Sequence, residues 1–192
     1  AQGNTFATTN DTVTFTRSNS LGTFGTTVNT APGVYEGTYT SGTSPGTDTI
    51  TVTANTINLS TQPVITLNPG IPSASTSTVT AASTSLTANG SSTSAVTVRL
   101  KDSSGNNIPR GGAAVTIRVS SGPGSIGSIT DNQNGTYTAT YESSTIAGTA
   151  VLIAAISNVD ITDTETITSN PGAATKLGVT VQPSISNASG AV

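Results

Sequence analysis

Apolar and polar residues alternate at period two in Ala95-Val96-Thr97-Val98-Arg99-Leu100, and again in Ala114-Val115-Thr116-Ile117-Arg118-Val119. Successive side chains of an extended chain point to opposite faces, so each run gathers its apolar residues on one face. Gly, Pro, Asn and Ser clusters bound these runs, as turn chemistry bounds strands. Carried along the chain, the pattern predicts strands near 77–88, 94–101, 113–119, 125–130, 135–142, 148–156 and 159–168. Val79, Leu86, Val96, Val98, Leu100, Val115, Ile117, Ile129, Tyr137, Tyr141, Leu152, Ile156, Ile161 and Ile167 are expected to face inward. No window carries the 3.6-residue period of an amphipathic helix.

The same pattern occurs twice. Gly33-Val34-Tyr35-Glu36-Gly37-Thr38-Tyr39 matches Gly135-Thr136-Tyr137-Thr138-Ala139-Thr140-Tyr141 at an offset of 102, and Asn68-Pro69-Gly70 matches Asn170-Pro171-Gly172 at that same offset of 102. Without a gap, residues 1–70 lie over 103–172 with about 20 identities. The inward positions of the first copy are expected to be Val13, Phe15, Phe24, Tyr35, Tyr39, Ile50, Val52, Leu59 and Ile65. A unit of about 100 residues with about seven short strands reads as an all-β, immunoglobulin-like Greek-key sandwich. The expected organisation is a domain over 1–70 lacking its first strands, a complete domain over 71–172, and the first strand of a further or strand-exchanged domain over 173–192.

Composition narrows the chemistry. Of 192 residues 33% are hydrophobic and only 8% charged, and His is absent, as are Cys, Met and Trp. Ser and Thr make up about a third, which raises disorder as an alternative. The alternating apolar pattern opposes it, and Thr, stiff at χ1, suits a pleated surface. Without His, Cys or Met there is no imidazole base, thiolate nucleophile or soft metal ligand. The net charge is −3, and the six basic residues Arg17, Arg99, Lys101, Arg110, Arg118 and Lys176 are scattered, so no basic face for nucleic acid is expected. No apolar stretch approaches the roughly 20 residues of a membrane-spanning helix. No enzymatic activity and no cofactor are expected.

Ser85-Leu86-Thr87-Ala88-Asn89-Gly90, Val96-Thr97-Val98, Asp102-Ser103-Ser104-Gly105-Asn106, Asn134-Gly135-Thr136-Tyr137-Thr138-Ala139 and Ala147-Gly148-Thr149 together resemble the bacterial immunoglobulin-like repeats of the invasin and intimin type. Ala1-Gln2-Gly3-Asn4 looks like the same Asp-x-x-Gly-Asn turn without its Asp. The resemblance implies an extracellular tandem stalk on a microbial cell-surface protein, spacing a terminal adhesive or catalytic module from the cell. It implies no site of its own, and leaves stalk and self-assembling fibre both open.

Candidate sites each carry a plainer reading. Asp131-Asn132-Gln133-Asn134-Gly135 with Glu142 resembles a calcium loop, but its Gly is fifth where the EF-hand needs it sixth, which favours a tight turn. Asp160, Asp163 and Glu165, with Asp102, are the other calcium candidates, yet their first-copy counterparts Asn58, Thr61 and Pro63 carry no charge. Tyr35 with Tyr39, and Tyr137 with Tyr141, share a strand face and are expected in the core with each hydroxyl on a backbone partner rather than as a ligand platform. Lys101 and Lys176 are candidates for an isopeptide link. Five sequons, at Asn10, Asn58, Asn89, Asn134 and Asn187, offer glycosylation positions at the frequency chance supplies. The outward stripe Val151, Ile153 and Ala155, where the first copy has Thr49, Thr51 and Thr53, is expected to be apolar and exposed, a lateral or partner surface unless a loop covers it or the register is one residue out.

The expected partners are neighbouring copies of the same domain, in an array or head to tail. A window of a longer array and strand donation from 173–192 into the incomplete first domain both account for positions 91–102 having no counterpart at either end. A carbohydrate- or receptor-binding module is the competing function, and it requires exposed aromatics or a loop insertion.

Overall fold

The structure, a computed structural model, describes residues 11–174 and Gly178. Every regular element among them is a strand. The first region holds β1 (Val13–Arg17), β2 (Gly22–Phe24), β3 (Val28–Ala31), β4 (Val34–Glu36), β5 (Tyr39–Ser41), β6 (Gly46–Ala54), β7 (Ile57–Asn58) and β8 (Val64–Leu67). The second holds β9 (Thr78–Ala81), β10 (Ser85–Thr87), β11 (Thr93–Arg99), β12 (Val115–Ser121), β13 (Ser125–Ile126), β14 (Thr130–Asp131), β15 (Thr136–Glu142), β16 (Gly148–Ile156) and β17 (Val159–Asn170).

The second region is a two-sheet sandwich. One sheet runs β10-β17-β16-β12, and the other runs β13-β15-β11-β9 with β14 also on β15. The opening segment serves both, since β9 pairs antiparallel with β11 and β10 pairs parallel with β17. Val79, Val96, Val98, Leu100, Tyr137 and Tyr141 from one sheet meet Ile117, Leu152, Ile156, Ile161 and Ile167 from the other. Ile108 also enters this core at 2% exposure, from a loop where periodicity carries no signal.

The first region repeats the ladder at the same numbering distance. Val13↔Ala54, Phe15↔Val52 and Arg17↔Ile50 in the β1/β6 pair correspond to Val115↔Ile156, Ile117↔Ala154 and Val119↔Leu152 in β12/β16. The later strand of each ladder then turns back into its next neighbour, β6 into β7 and β16 into β17, through a two-residue hairpin turn at positive φ, Asn55-Thr56 in one and Ser157-Asn158 in the other, the mirror-image turn that matches strand twist. Gly22 and Gly124 also correspond: a Cβ on either would collide with the ring of Tyr39 or Tyr141 lying over it.

The first region's interior is thinner. Among the described residues Ile50 is its fully buried large apolar side chain, and Phe24 meets Phe15 at a tilt and Tyr39 edge-on, at centroid distances of 5.4 and 5.3 Å. Leu59, expected inward, is 50% exposed, because no opposing sheet among the described residues covers the β6/β7 edge. Val13, Tyr35, Val52 and Ile65 are half-buried. In place of β11, β9 and a continuous β15, the described residues of this region form the two-stranded pairs β2/β5 and β3/β4.

Candidate functional site at the junction between the repeats

The linker and the turn that faces it come from separate parts of the sequence. After β11 the chain makes a short hairpin: Leu100 N–H donates to Gly135 C=O, Ile108 N–H to Leu100 C=O, and Lys101 bridges Asn107. At its tip Gly105 takes φ 83°, a left-handed conformation that glycine adopts without steric cost. The Asp102 side chain is folded inward, 4% exposed, and collects donors from every side. Its Oδ1 accepts from Ser104 N–H at 3.0 Å and Asn106 N–H at 2.9 Å, and its Oδ2 accepts from Asn106 Nδ2 at 2.9 Å and from Gly70 N–H at 2.9 Å.

Gly70 belongs to the Asn68-Pro69-Gly70 linker, so that last bond ties the end of the first region to the second. A further bond reinforces it: Asn106 Nδ2 also donates to Thr43 C=O, in the loop before β6, at 2.7 Å. The chain leaving Gly70 is held as well. Pro72 bridges Asp102, Ser73 N–H donates to Lys101 C=O, and Thr76 Oγ1 donates to Asp102 C=O at 2.7 Å. The Asn106 carboxamide and the Gly70 N–H, outweighing the cost of burial, lower the Asp102 carboxyl to about 2. At neutral pH the junction therefore holds an ionised carboxylate with its lone pairs occupied by short-range donors. Such an arrangement positions backbone; it leaves no acceptor for a proton in transit and no nucleophile.

Over residues 73–172 the sequence matches the family model described as invasin, domain 3. The chain belongs to the invasin domain 3 family. Among solved structures it is similar to Yersinia pseudotuberculosis InvD, at 29% identity and a TM-score of 0.59, over 90% of this chain and 51% of that one. It also shares the fold of invasin, a bacterial integrin-binding protein, at 24% identity and a TM-score of 0.60, over 86% of this chain and 34% of that one. The chain thus spans about half of the InvD structure and a third of the invasin structure. A comparison with curated proteins finds no match. All-β sandwich architecture and the adhesin class of immunoglobulin-like domain are thereby established.

Within this invasin-type frame the sequence-predicted positions disperse. Ala155 is 3% exposed, which corrects the expected open stripe: it lies between Thr116 and Asp160 in the sheet, and a side chain this short is covered by such neighbours. Val151 and Ile153 are half-buried, Ile153 lying between Arg118 and Thr164. Arg118 spans this face to Asp160 in a two-pronged ion pair at 2.9 and 3.0 Å. Asp163 and Glu165 instead accept the N–H groups of Val79 and Ala81 at 2.9 and 3.1 Å. With Asp102 at the junction, the four acids do not converge, and no group of three metal-ligating side chains occurs among the described residues.

Asp131 accepts from Gly112 and Gln133 N–H and holds its segment as a turn. Tyr137 OH accepts from Ala113 N–H at 2.8 Å, and Tyr141 OH donates to Pro123 C=O at 2.6 Å, both rings being buried. Tyr35 repeats the first contact with Asp11 N–H, whereas Tyr39 OH donates to the Asp48 carboxylate rather than to backbone. Asn58, Asn89 and Asn134 are exposed, and the Asn89 and Asn134 carboxamide oxygens accept from nearby Ser and Thr amides. Asn10, Asn187 and Lys176 lie outside the described residues. An apolar hollow of about 190 Å³ lined by Asp11, Ala54, Asn55, Ile57 and Leu59 offers a single carboxylate.

Sequence reasoning recorded both the Asn-Pro-Gly linker and the Asp-x-x-Gly-Asn turn without joining them. The Asn-Pro-Gly linker recurs at 68–70 and 170–172, whereas the complete Asp-x-x-Gly-Asn turn occurs once, at 102–106, and 32 residues of sequence separate Gly70 from the Asp102 that it meets.

Proposed function

We propose that this chain is a spacer in a bacterial surface adhesin: immunoglobulin-like units over 1–70 and 71–172, with 173–192 opening a further one, set end to end to hold a binding module away from the cell. The observation that carries this reading is the Asp102 carboxylate, which accepts from Gly70 on one side of the joint while Asn106 donates to Thr43 across it. Joints made of short charge-assisted bonds resist bending more than a free linker does. The parallel pairing of β10 with the end of β17 adds resistance to pulling, because tension along the chain loads its ladder bonds together in shear.

Small-angle scattering on the chain and on arrays with added copies of 71–172 tests the proposal. Length should rise by an equal step per copy, with a cross-section that stays constant. Coiling, in which length grows as the square root of copy number, would overturn it. A second reading, assembly by strand donation from 173–192, draws support from the exposed Val28, Val34, Ile57 and Val64 of the first region. It requires concentration-dependent polymers of the unmodified chain in the same scattering series.

A further inference from the structure

The joint just described has two halves, and the structure contains one of them twice. On the first region, the receiving half is the Gly70 N–H and the Thr43 C=O, which take Asp102 and Asn106 respectively. Their relative placement is set by the β6/β8 pair, in which Gly46 lies opposite Leu67: Thr43 is three residues before the one, and Gly70 three residues after the other. On the second region, Gly148 lies opposite Ser169 in the β16/β17 pair, with Thr145 three residues before and Gly172 three residues after. Both strand starts have the same backbone, Gly46 at φ 151° and Gly148 at φ 158°. Ser41-Gly42-Thr43-Ser44-Pro45-Gly46 and Ser143-Ser144-Thr145-Ile146-Ala147-Gly148 keep Ser, Thr and Gly in the same places.

The second copy is also better anchored. Asn170 C=O accepts from Ala88 N–H at 2.7 Å, and its carboxamide donates to Ser85 Oγ at 2.9 Å, so the root of the second linker is tied to β10. Ile146 N–H donates to Ser144 Oγ within the loop that presents Thr145. Gly172 and Thr145 are both exposed, and among the described residues neither the amide of the one nor the carbonyl of the other has a partner. Ile146 stands beside them 69% exposed, a large apolar side chain in open solvent where the first region has Ser44.

From this repetition we infer that Gly172 N–H and Thr145 C=O form a socket for the Asp-x-x-Gly-Asn turn of a following immunoglobulin-like unit fused at Asn170-Pro171-Gly172. The turn's carboxylate takes the Gly172 N–H, its carboxamide donates to the Thr145 carbonyl, and Ile146 packs against the incoming unit. The inference rests on the spacer reading and specifies the partner of its joint. A unit with a different residue at the Asp position would be joined without being oriented.

The test is the chain 1–172 extended by a second copy of 71–172. Because the sequence has no cysteine, spin labels attach at chosen positions alone. Thr38→Cys with Thr140→Cys reports the first joint, and Thr140→Cys with its counterpart in the appended copy reports the second. The two label pairs should give single distance distributions of equal mean and width. Replacing the appended copy's counterpart of Asp102 by Ala should widen the second alone, with about a tenfold loss of the oriented over the unoriented population, the usual effect of deleting one charge-assisted bond. Gly172→Pro removes the amide from the socket side without touching the appended turn, and should widen it equally even if the Ala variant fails to fold. A second joint that is broad with its Asp in place, or unmoved by both substitutions, overturns the socket. Equal length steps in scattering with a broad second joint would leave the spacer and remove only the socket.

Discussion

The last strand of each repeat has the same start and a different fate. β17 runs unbroken from Val159 to Asn170, whereas its counterpart is interrupted between β7 and β8. Among the positions that differ, two bear on the break. Where the second region has Asp163 and Glu165, the first has Thr61 and Pro63, and Pro cannot donate to a ladder. The acids in turn accept the outer N–H groups of β9, so the strand that stays whole is also the one that seals the opposite sheet's edge. A second exchange runs the other way. At the site of the wholly buried Ala150 the first region buries Asp48, whose carboxylate accepts from Asn19 N–H at 2.7 Å, Leu21 N–H at 3.1 Å and Tyr39 OH at 2.8 Å. The position equivalent to Leu21 is Pro123, which has no N–H to satisfy, and there Tyr141 turns to a backbone carbonyl instead. One ladder thus tolerates two solutions for its interior, provided each buried donor finds an acceptor.

The largest expected difference between the regions lies in the paired core positions. Leu152→Ala should cost about 3–5 kcal/mol, the cavity range for a site packed from both sheets, and Ile50→Ala, in the thinner interior of the first region, about 2 kcal/mol. Calorimetry on the intact chain checks this, and equal costs would mean the first region has a complete core. Next, Asp163→Ala with Glu165→Ala should cost about 1–3 kcal/mol for each orphaned amide, and lower hydrogen-exchange protection at Val79 and Ala81. Thr61→Ala and Pro63→Ala should change stability by under about 0.5 kcal/mol each.

Acid then separates the junction from the interior. Both Asp48 and Asp102 titrate below their ordinary range when folded, so each contributes stability that is complete above the ordinary carboxylate range and is lost as pH falls through its own folded value. For Asp48, burial opposes ionisation and the bonds from Tyr39, Asn19 and Leu21 outweigh it. For Asp102 the loss should extend from the ordinary range of about 4 down to about 2. Inter-region label distances followed through this range should broaden, and Asp102→Asn should remove the pH dependence. The smallest effect concerns the hairpins. Thr56 sits at φ 74°, unfavourable for a β-branched side chain, while its counterpart Asn158 tolerates φ 67°. Thr56→Gly should therefore stabilise by about 0.5–1 kcal/mol, and Asn158→Gly by less.

Much of the fold was legible because it rests on local periodicity. The strand spans predicted for 94–101, 135–142 and 148–156 differ from β11, β15 and β16 by no more than two residues at either end. Their alternation survives any packing that keeps one face dry. Ile108 gave no signal and Leu59 a misleading one for a common reason: whether a loop or edge residue is covered depends on a segment distant in sequence. Ala155 failed similarly, since its cover comes from flanking strands. Acidic residues were the least legible. Asp102, Asp160, Asp163 and Glu165 look alike as a group, and each has a different long-range partner, 32 to 84 residues away.

By itself the sequence determined that this protein is pleated, doubled at a distance of 102 residues and poor in reactive groups, because alternation, repetition and composition are properties of the chain order. Tertiary structure alone decided where each carboxylate spends its charge. A lone pair chooses among donors by distance and direction in space, so only folding brought the Gly70 amide and the Asp102 carboxylate within 2.9 Å and made a linker into a joint.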